Sequence, residues 1–186
     1  PERVFFCYDV YMHQIIVQGV GYLALLFVLL SFQGRKRVQI LLAMLTGVLL
    51  FVLHYSLLHA WTGALMNAIE ASVVFVSFKK EKSTWANNKL WLYVFISLYV
   101  LAAALTVKNP VDVLPIIAQI AGAIAVWQTN PRSIRFIMLI PRPLWFVYNL
   151  AVGSQAGAVA EVFMLSSVLA GIVRYDILKK KSKSEV

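Results

Sequence analysis

A single cysteine, Cys7, rules out an internal disulfide and with it a disulfide-stapled secreted scaffold. Charge is scarce as well. Asp, Glu, Lys and Arg make up 13% of the 186 residues, against about 25% in an ordinary soluble domain. Only three histidines occur, and His54 and His59 lie five apart, off one helical face, so with His13 they offer no metal-ligand spacing. No glycine-rich loop ends in Gly-Lys-Ser/Thr, which excludes a nucleotide-driven pump within this chain. No Ser-His-Asp or Cys-His constellation has its partners at a common depth. Neither enzyme activity nor a cofactor is expected.

What the chain does contain is apolar: 61% of residues are hydrophobic and the mean hydropathy is +0.78. About 45–50% is usual for a soluble domain, and a chain of this size could not cover the excess with polar surface. The expectation is an all-α integral membrane protein. A spanning helix needs about 20 mostly apolar residues, and seven segments qualify: Met12–Phe32, Val38–Leu58, Trp61–Phe78, Leu90–Val107, Val111–Gln128, Arg132–Val152 and Ala156–Leu178. Short turn-rich or polar connections join them, so a single transmembrane domain over 1–186 leaves no room for a soluble one. The first segment is too long, and its leading residues too little basic, for a signal-peptide core.

Seven crossings place alternate loops on opposite sides. Of the 17 basic residues, 14 then share the side holding the loops after the first, third and fifth segments and the C-terminal tail. Arg3 and Lys108 fall on the other side, and Arg142 stays inside a segment. By the positive-inside rule the N-terminus is expected outside and the C-terminus in the cytoplasm. The net charge of +9 therefore reads as an orientation label with some attraction to anionic lipid, not as a nucleic-acid surface.

The chain also resembles itself. Shifted by 94 residues, the second and third segments align with the sixth and seventh: Met44 falls on Met138, Phe51 on Trp145, Tyr55 on Asn149, Gly63 on Gly157 and Asn67 on Glu161. The first and fifth align at a shift of 101, Gln18 on Gln119 and Gly21 on Gly122. The implied architecture is a 3+1+3 parallel repeat: repeat one over about 12–78, a linker helix over about 90–107 and repeat two over about 111–178. In repeat transporters the substrate sits between the repeats near the bilayer midplane.

Three stretches carry a resemblance to a known family. They are Gly63-Ala64-Leu65-Met66-Asn67-Ala68-Ile69, then Pro110-Val111-Asp112-Val113-Leu114-Pro115-Ile116-Ile117, then Trp145, Asn149, Gly153-Ser154, Gly157, Glu161 and Arg174 at matching spacings. In these the chain resembles the YgjV family of bacterial inner-membrane proteins over nearly its whole length. It departs at Glu70, where the family tends to be basic, so no ion-pair role carries over to that position. By topology and repeat logic the chain is also similar, more distantly, to SWEET, PnuC and PQ-loop transporters, although it lacks a Pro-Gln pair. That similarity implies a substrate-facing Asn on the third helix of each repeat and an aromatic on the second. Here these are Asn67 with Glu161, and Phe51 with Trp145. Glu161 in place of Asn weakens a sugar reading and favours a cationic, amine-bearing or proton-coupled ligand.

Polar residues inside the bilayer are expensive and mark function. At about 1.5 Å per residue from the outer helix ends, Glu161, Gln18, Asn67 and Trp145 lie roughly 8–10 Å deep, and Gln119, Glu70 and Arg142 roughly 12–15 Å. They form one slab slightly outside the midplane. Arg142, Trp145 and Asn149 share one helical face by i+3 and i+4 spacing, as do Gly63, Asn67 and Glu70. Arg142 has two acids within reach, Glu70 nearer in depth and Glu161 about one turn away. It is read as a substrate or proton site, as a buried ion pair holding the bundle, or as a lipid-facing snorkel. His54 is read as an interfacial polar residue. Pro141 and Pro143 bracket Arg142 and must break helix hydrogen bonds there, with Gly47 the equivalent weak point in the second segment.

The expected function is a passive or proton-coupled carrier of a small polar solute, working by alternating access. Asn67, Glu161, Arg142, Trp145, Asn149, Gln18, Gln119 and Glu70 are the expected binding residues, and Pro141, Pro143 and Gly47 the expected hinge. The rival is a non-transporting receptor or structural protein on the same fold. Expected partners are the solute and membrane lipids, with a second copy of the chain as an option and no nucleic acid.

Overall fold

The computed structural model describes residues 2–31, 37–79, 83–128 and 130–178. The basic residues Arg35, Lys36, Lys80, Lys82 and 179–183, used above for orientation, lie outside the described residues. Within them every regular element is helical: α1 Glu2–Ser31, α2 Arg37–Leu57, α3 Trp61–Lys79, α4 Leu90–Thr106, α5 Val113–Val126, α6 Pro131–Ile137, α7 Pro141–Ala151 and α8 Gln155–Ile172, which runs on as a π-helical stretch over Val173–Leu178. Four stretches are long and apolar enough to cross a membrane, namely Met12–Ser31, Val38–Leu57, Trp61–Lys79 and Gln155–Ile177. The other three expected segments form shorter helices.

The sixth segment is not one helix. After α6 the hydrogen bonds tighten to Leu139 N–H on Phe136 O and Ile140 N–H on Ile137 O, and a new helix starts at Pro141. Proline has no N–H to give and its ring clashes with the carbonyl four residues back, but it suits a first helical turn. Pro141 and Pro143 thus break the span into α6 and α7, and Arg142 is held at the break. Gly47 behaves differently. The α2 helix continues through it, and a Cβ there would lie 2.8 Å from Val28 and 3.0 Å from the Ala24 carbonyl oxygen. Its visible role is to let α1 come close, not to weaken α2.

Helices α1, α2 and α3 pack in succession, α7 packs on α5 and α8, and α4 bridges α3 and α5. The 94-residue shift reappears in backbone geometry. Helix α2 ends at Leu57 and α7 at Ala151, and α3 starts at Trp61 and α8 at Gln155. Ala60 N–H bonds Tyr55 O at 2.9 Å, as Ser154 N–H bonds Asn149 O at 2.8 Å; His59 N–H bonds Ser56 O, as Gly153 N–H bonds Leu150 O. These are two Schellman closures in the same register. Each has its left-handed residue in the same place, His59 at φ 54° and Gly153 at φ 74°.

Candidate functional site

A cavity of about 260 Å³ lies between the two hairpins. Six helices wall it: α1 with Val28 and Ser31, α2 with Met44, Val48, Phe51 and Tyr55, α3 with Asn67, Glu70 and Val73, α5 with Gln119, α7 with Arg142 and Trp145, and α8 with Ala160, Glu161 and Met164; Met138 comes from the break before α7. Helix α4 contributes no wall residue. Five pairs 94 apart face the cavity together: Met44 and Met138, Val48 and Arg142, Phe51 and Trp145, Asn67 and Glu161, Glu70 and Met164.

Arg142 occupies the second position of α7, the positive end of the helix dipole and the wrong end for a cation. Its compensation comes from α8, where Nη1 donates to Glu161 Oε2 at 3.0 Å and lies 2.6 Å from Met164 Sδ. The Arg142 side chain is 16% exposed and that of Glu161 11%, so this is a buried ion pair. It is incomplete, because Arg142 Nε is buried with no partner, which costs about 1–3 kcal/mol. Glu70 does not pair with Arg142; its Oε2 accepts from the Tyr99 hydroxyl of α4 at 3.1 Å. Asn67 Nδ2 bonds back to Gly63 O at 2.9 Å, and Gln119 Nε2 reaches Met66 O at 3.4 Å. Phe51 stacks on Tyr55 at 6.0 Å and Tyr55 meets Trp145 at 5.9 Å, giving the cavity an aromatic side.

Six of the expected binding residues therefore meet in one place: Asn67, Glu70, Gln119, Arg142, Trp145 and Glu161. Two do not. Gln18 faces the α7–α8 turn, donating to Gly153 O at 2.7 Å and accepting from Gln155 N–H at 3.2 Å. A turn at that depth exposes backbone groups that a nearby amide satisfies. Asn149 lies next to the cavity but off its wall, and its Oδ1 accepts from Tyr55 OH at 2.6 Å. Its Nδ2 is buried without a partner.

At the end where the α2–α3 and α7–α8 hairpins turn, polar side chains link the two. His54 is fully buried in the last turn of α2, with Nδ1 2.8 Å from Val17 O and Nε2 2.8 Å from Ser154 Oγ. Facing a carbonyl, Nδ1 carries the proton. Ser154 Oγ accepts from Gly157 N–H as the cap of α8, and its own proton points to Nε2. Tyr148, 94 residues after His54, reaches the other way, its hydroxyl accepting from Gly63 N–H at 2.8 Å in the first turn of α3. The α7–α8 hairpin thus caps the start of α3, and the α2–α3 hairpin braces the residue that caps α8. Tyr148 and Ser154 were missed in the sequence, although the same shift that paired Phe51 with Trp145 also pairs His54 with Tyr148. At the opposite end Arg135 holds Asp176 in a two-pronged ion pair, Nε at 2.8 Å and Nη2 at 2.9 Å, tying α6 to the π-helical stretch.

A family model described as Imp-YgjV, bacterial inner membrane protein, matches residues 15–179. The chain belongs to this family. Its Imp-YgjV match covers every wall of the cavity, both hairpin turns and the Arg135–Asp176 tie. No curated protein and no solved structure matches the chain. The chain is thus a helical inner-membrane protein.

Proposed function

We propose that this Imp-YgjV protein is a small carrier that moves a small polar solute by alternating access between two three-helix bundles, α1–α3 and α5–α8, with α4 as linker. The bilayer is crossed seven times. Helix α4, with 17 residues, is about 25 Å long at 1.5 Å per residue, and α6 with α7 forms one broken crossing. The basic end faces the cytoplasm, with the N-terminus outside and the C-terminus inside.

The observation that carries this reading is the cavity, which is walled by both bundles and not by the linker, and holds Asn67, Glu70, Gln119, Arg142, Trp145 and Glu161. A structural protein has reason to neutralise Arg142 completely in a dry core. Here its Nε is left without a partner in a side chain that lines the cavity, and irregular backbone at membrane depth is tolerated where it is buried in protein or lines a cavity. The polar links at the hairpin end and the walls that include Val28, Ser31 and Met44 toward the basic end fit a form closed to the outside.

Gly122 provides the test, since a Cβ there has nothing nearer than Gln119 Oε1 at 3.9 Å. In a Cys7→Ser background, Gly122→Cys should react with a membrane-impermeant maleimide from both sides of oriented vesicles, faster from the basic side. Reaction from one side only, or from neither, would favour the receptor or structural alternative.

A further inference from the structure

The two halves of the cavity differ in charge, and the 94-residue correspondence locates the difference. In the second half Glu161 on α8 is neutralised by Arg142 on α7. In the first half α3 carries Glu70, and the position equivalent to Arg142 on α2 is Val48, which also faces the cavity. Among the described residues the Glu70 carboxylate accepts one hydrogen bond, from Tyr99 OH, and Arg142 acts on it through space alone. With all three groups ionised, Arg142, Glu161 and Glu70 would carry one uncompensated negative charge. A net charge at membrane depth is expensive unless something pairs with it, and a carboxyl group without a cation beside it can hold a proton instead. A cation entering the cavity lets the Glu70 carboxylate ionise beside it, which a neutral solute or an anion does not.

The remaining wall limits the shape of that cation. Phe51, Tyr55 and Trp145 add aromatic surface to the same cavity wall, which suits an ammonium group or an apolar body. The cavity, at about 260 Å³, falls below the roughly 300–1,000 Å³ of drug-sized sites. We infer that the cavity takes a small monovalent organic ammonium ion, its charged head against Glu70 where the first half lacks a guanidinium and its body against Phe51, Tyr55 and Trp145. This rests on the carrier reading and names its ligand class. Tyr99 is then a positioning residue, aiming the Glu70 carboxylate from the linker helix.

The test uses the full chain in nanodiscs, with empty nanodiscs as blank, and calorimetric titration of three probes of one shape: phenethylammonium, neutral 2-phenylethanol and anionic 3-phenylpropanoate. Phenethylammonium should bind at least tenfold tighter than 2-phenylethanol, and 3-phenylpropanoate should bind weakest. Glu70→Gln should bring the cation and the alcohol within twofold of each other, whereas Tyr99→Phe should weaken the cation two- to fivefold and keep the preference. Val48→Lys, which supplies the missing cation internally, should abolish the preference by a second route if Glu70→Gln does not fold. Undiminished cation binding in a folded Glu70→Gln, a preference for the anion, or no binding of phenethylammonium overturns the inference. The Gly122→Cys labelling needs no ligand, so the carrier reading stands or falls separately.

Discussion

Taking the Arg142–Glu161 pair apart one residue at a time should give two unequal losses. Breaking a buried ion pair from one side costs about 3–5 kcal/mol, because the survivor keeps its desolvation penalty without its partner. The survivors differ here. Glu161→Ala leaves a guanidinium that cannot shed its proton, with Nε already unpartnered, so the full penalty applies. Arg142→Ala leaves a carboxyl group, and a carboxyl group can neutralise itself by taking a proton. It also removes the orphaned Nε, worth about 1–3 kcal/mol, so the net loss falls to about 2 kcal/mol.

Replacing both residues by apolar ones, Arg142→Met with Glu161→Leu, should cost little or stabilise, since apolar replacement of a buried pair is often neutral or favourable by about 1–4 kcal/mol. The expected order of stability puts the double variant first, Arg142→Ala next and Glu161→Ala last. With about 2–4 °C per kcal/mol for a chain of this size, Glu161→Ala should melt on the order of 10 °C below the parent. The assay is thermal unfolding of the four proteins in one detergent, with the Arg142→Ala, Glu161→Ala double added to close a double-mutant cycle. If Arg142→Ala melts as low as Glu161→Ala, or if the double loss equals the sum of the singles, the pair does not carry the energy assigned to it.

Three further outcomes follow from the turns and glycines. His59→Gly should stabilise by about 0.5–1 kcal/mol, because a left-handed non-glycine residue costs about 1–2 kcal/mol and glycine returns part of that as entropy; Gly153→Ala should lose a similar amount, both read as melting shifts. Gly157→Ala should be strongly destabilised, by about 1–3 kcal/mol from overpacking, because its Cβ would run into the Asn149 carboxamide and the Ser154 hydroxyl. Gly19→Ala, with nothing within 4 Å of the new Cβ, should be neutral or better in the same melt. Replacing Pro141 and Pro143 together by Ala should join α6 to α7, leaving the protein folded by circular dichroism but closing Gly122→Cys to reagent from the outer side; unchanged labelling would end their role as a hinge.

Most of the fold was legible because its signals are local. Apolar runs marked the helices, and turn chemistry at Leu58 to Ala60 and Gly153 to Gln155 marked their ends within a residue or two. Two prolines within three residues marked the break. The site was legible where a polar side chain shared a helical face with other polar side chains, as Arg142 did with Trp145. It was misread where the partner was backbone. Gln18 looked like a cavity residue by depth alone, and only the fold brings the Gly153 carbonyl to it. The partners of His54, Val17 O and Ser154 Oγ, stayed hidden because neither lies near it in sequence. The choice between Glu70 and Glu161 turned on helix rotation, and depth favoured the wrong acid.

A repeat of the proposed kind would explain why the charges diverge. Where the two hairpins meet, equivalent residues face each other, as Tyr55 and Asn149 do across a 2.6 Å hydrogen bond. A strictly duplicated Arg142 would therefore set two guanidiniums around one small cavity, and a duplicated Glu161 two paired carboxylates beside them, with like charges at close range and little water to screen them. Neutral pairs escape this problem, which is why Met44 and Met138 are identical and Phe51 and Trp145 are both aromatic. Charged positions do not, and Val48 stands opposite Arg142, Asn67 opposite Glu161, and Met164 opposite Glu70. The scaffold can stay symmetric only if its ions are distributed unevenly. That uneven distribution gives the cavity a direction, with a paired end at α7 and α8 and an acidic end at α3.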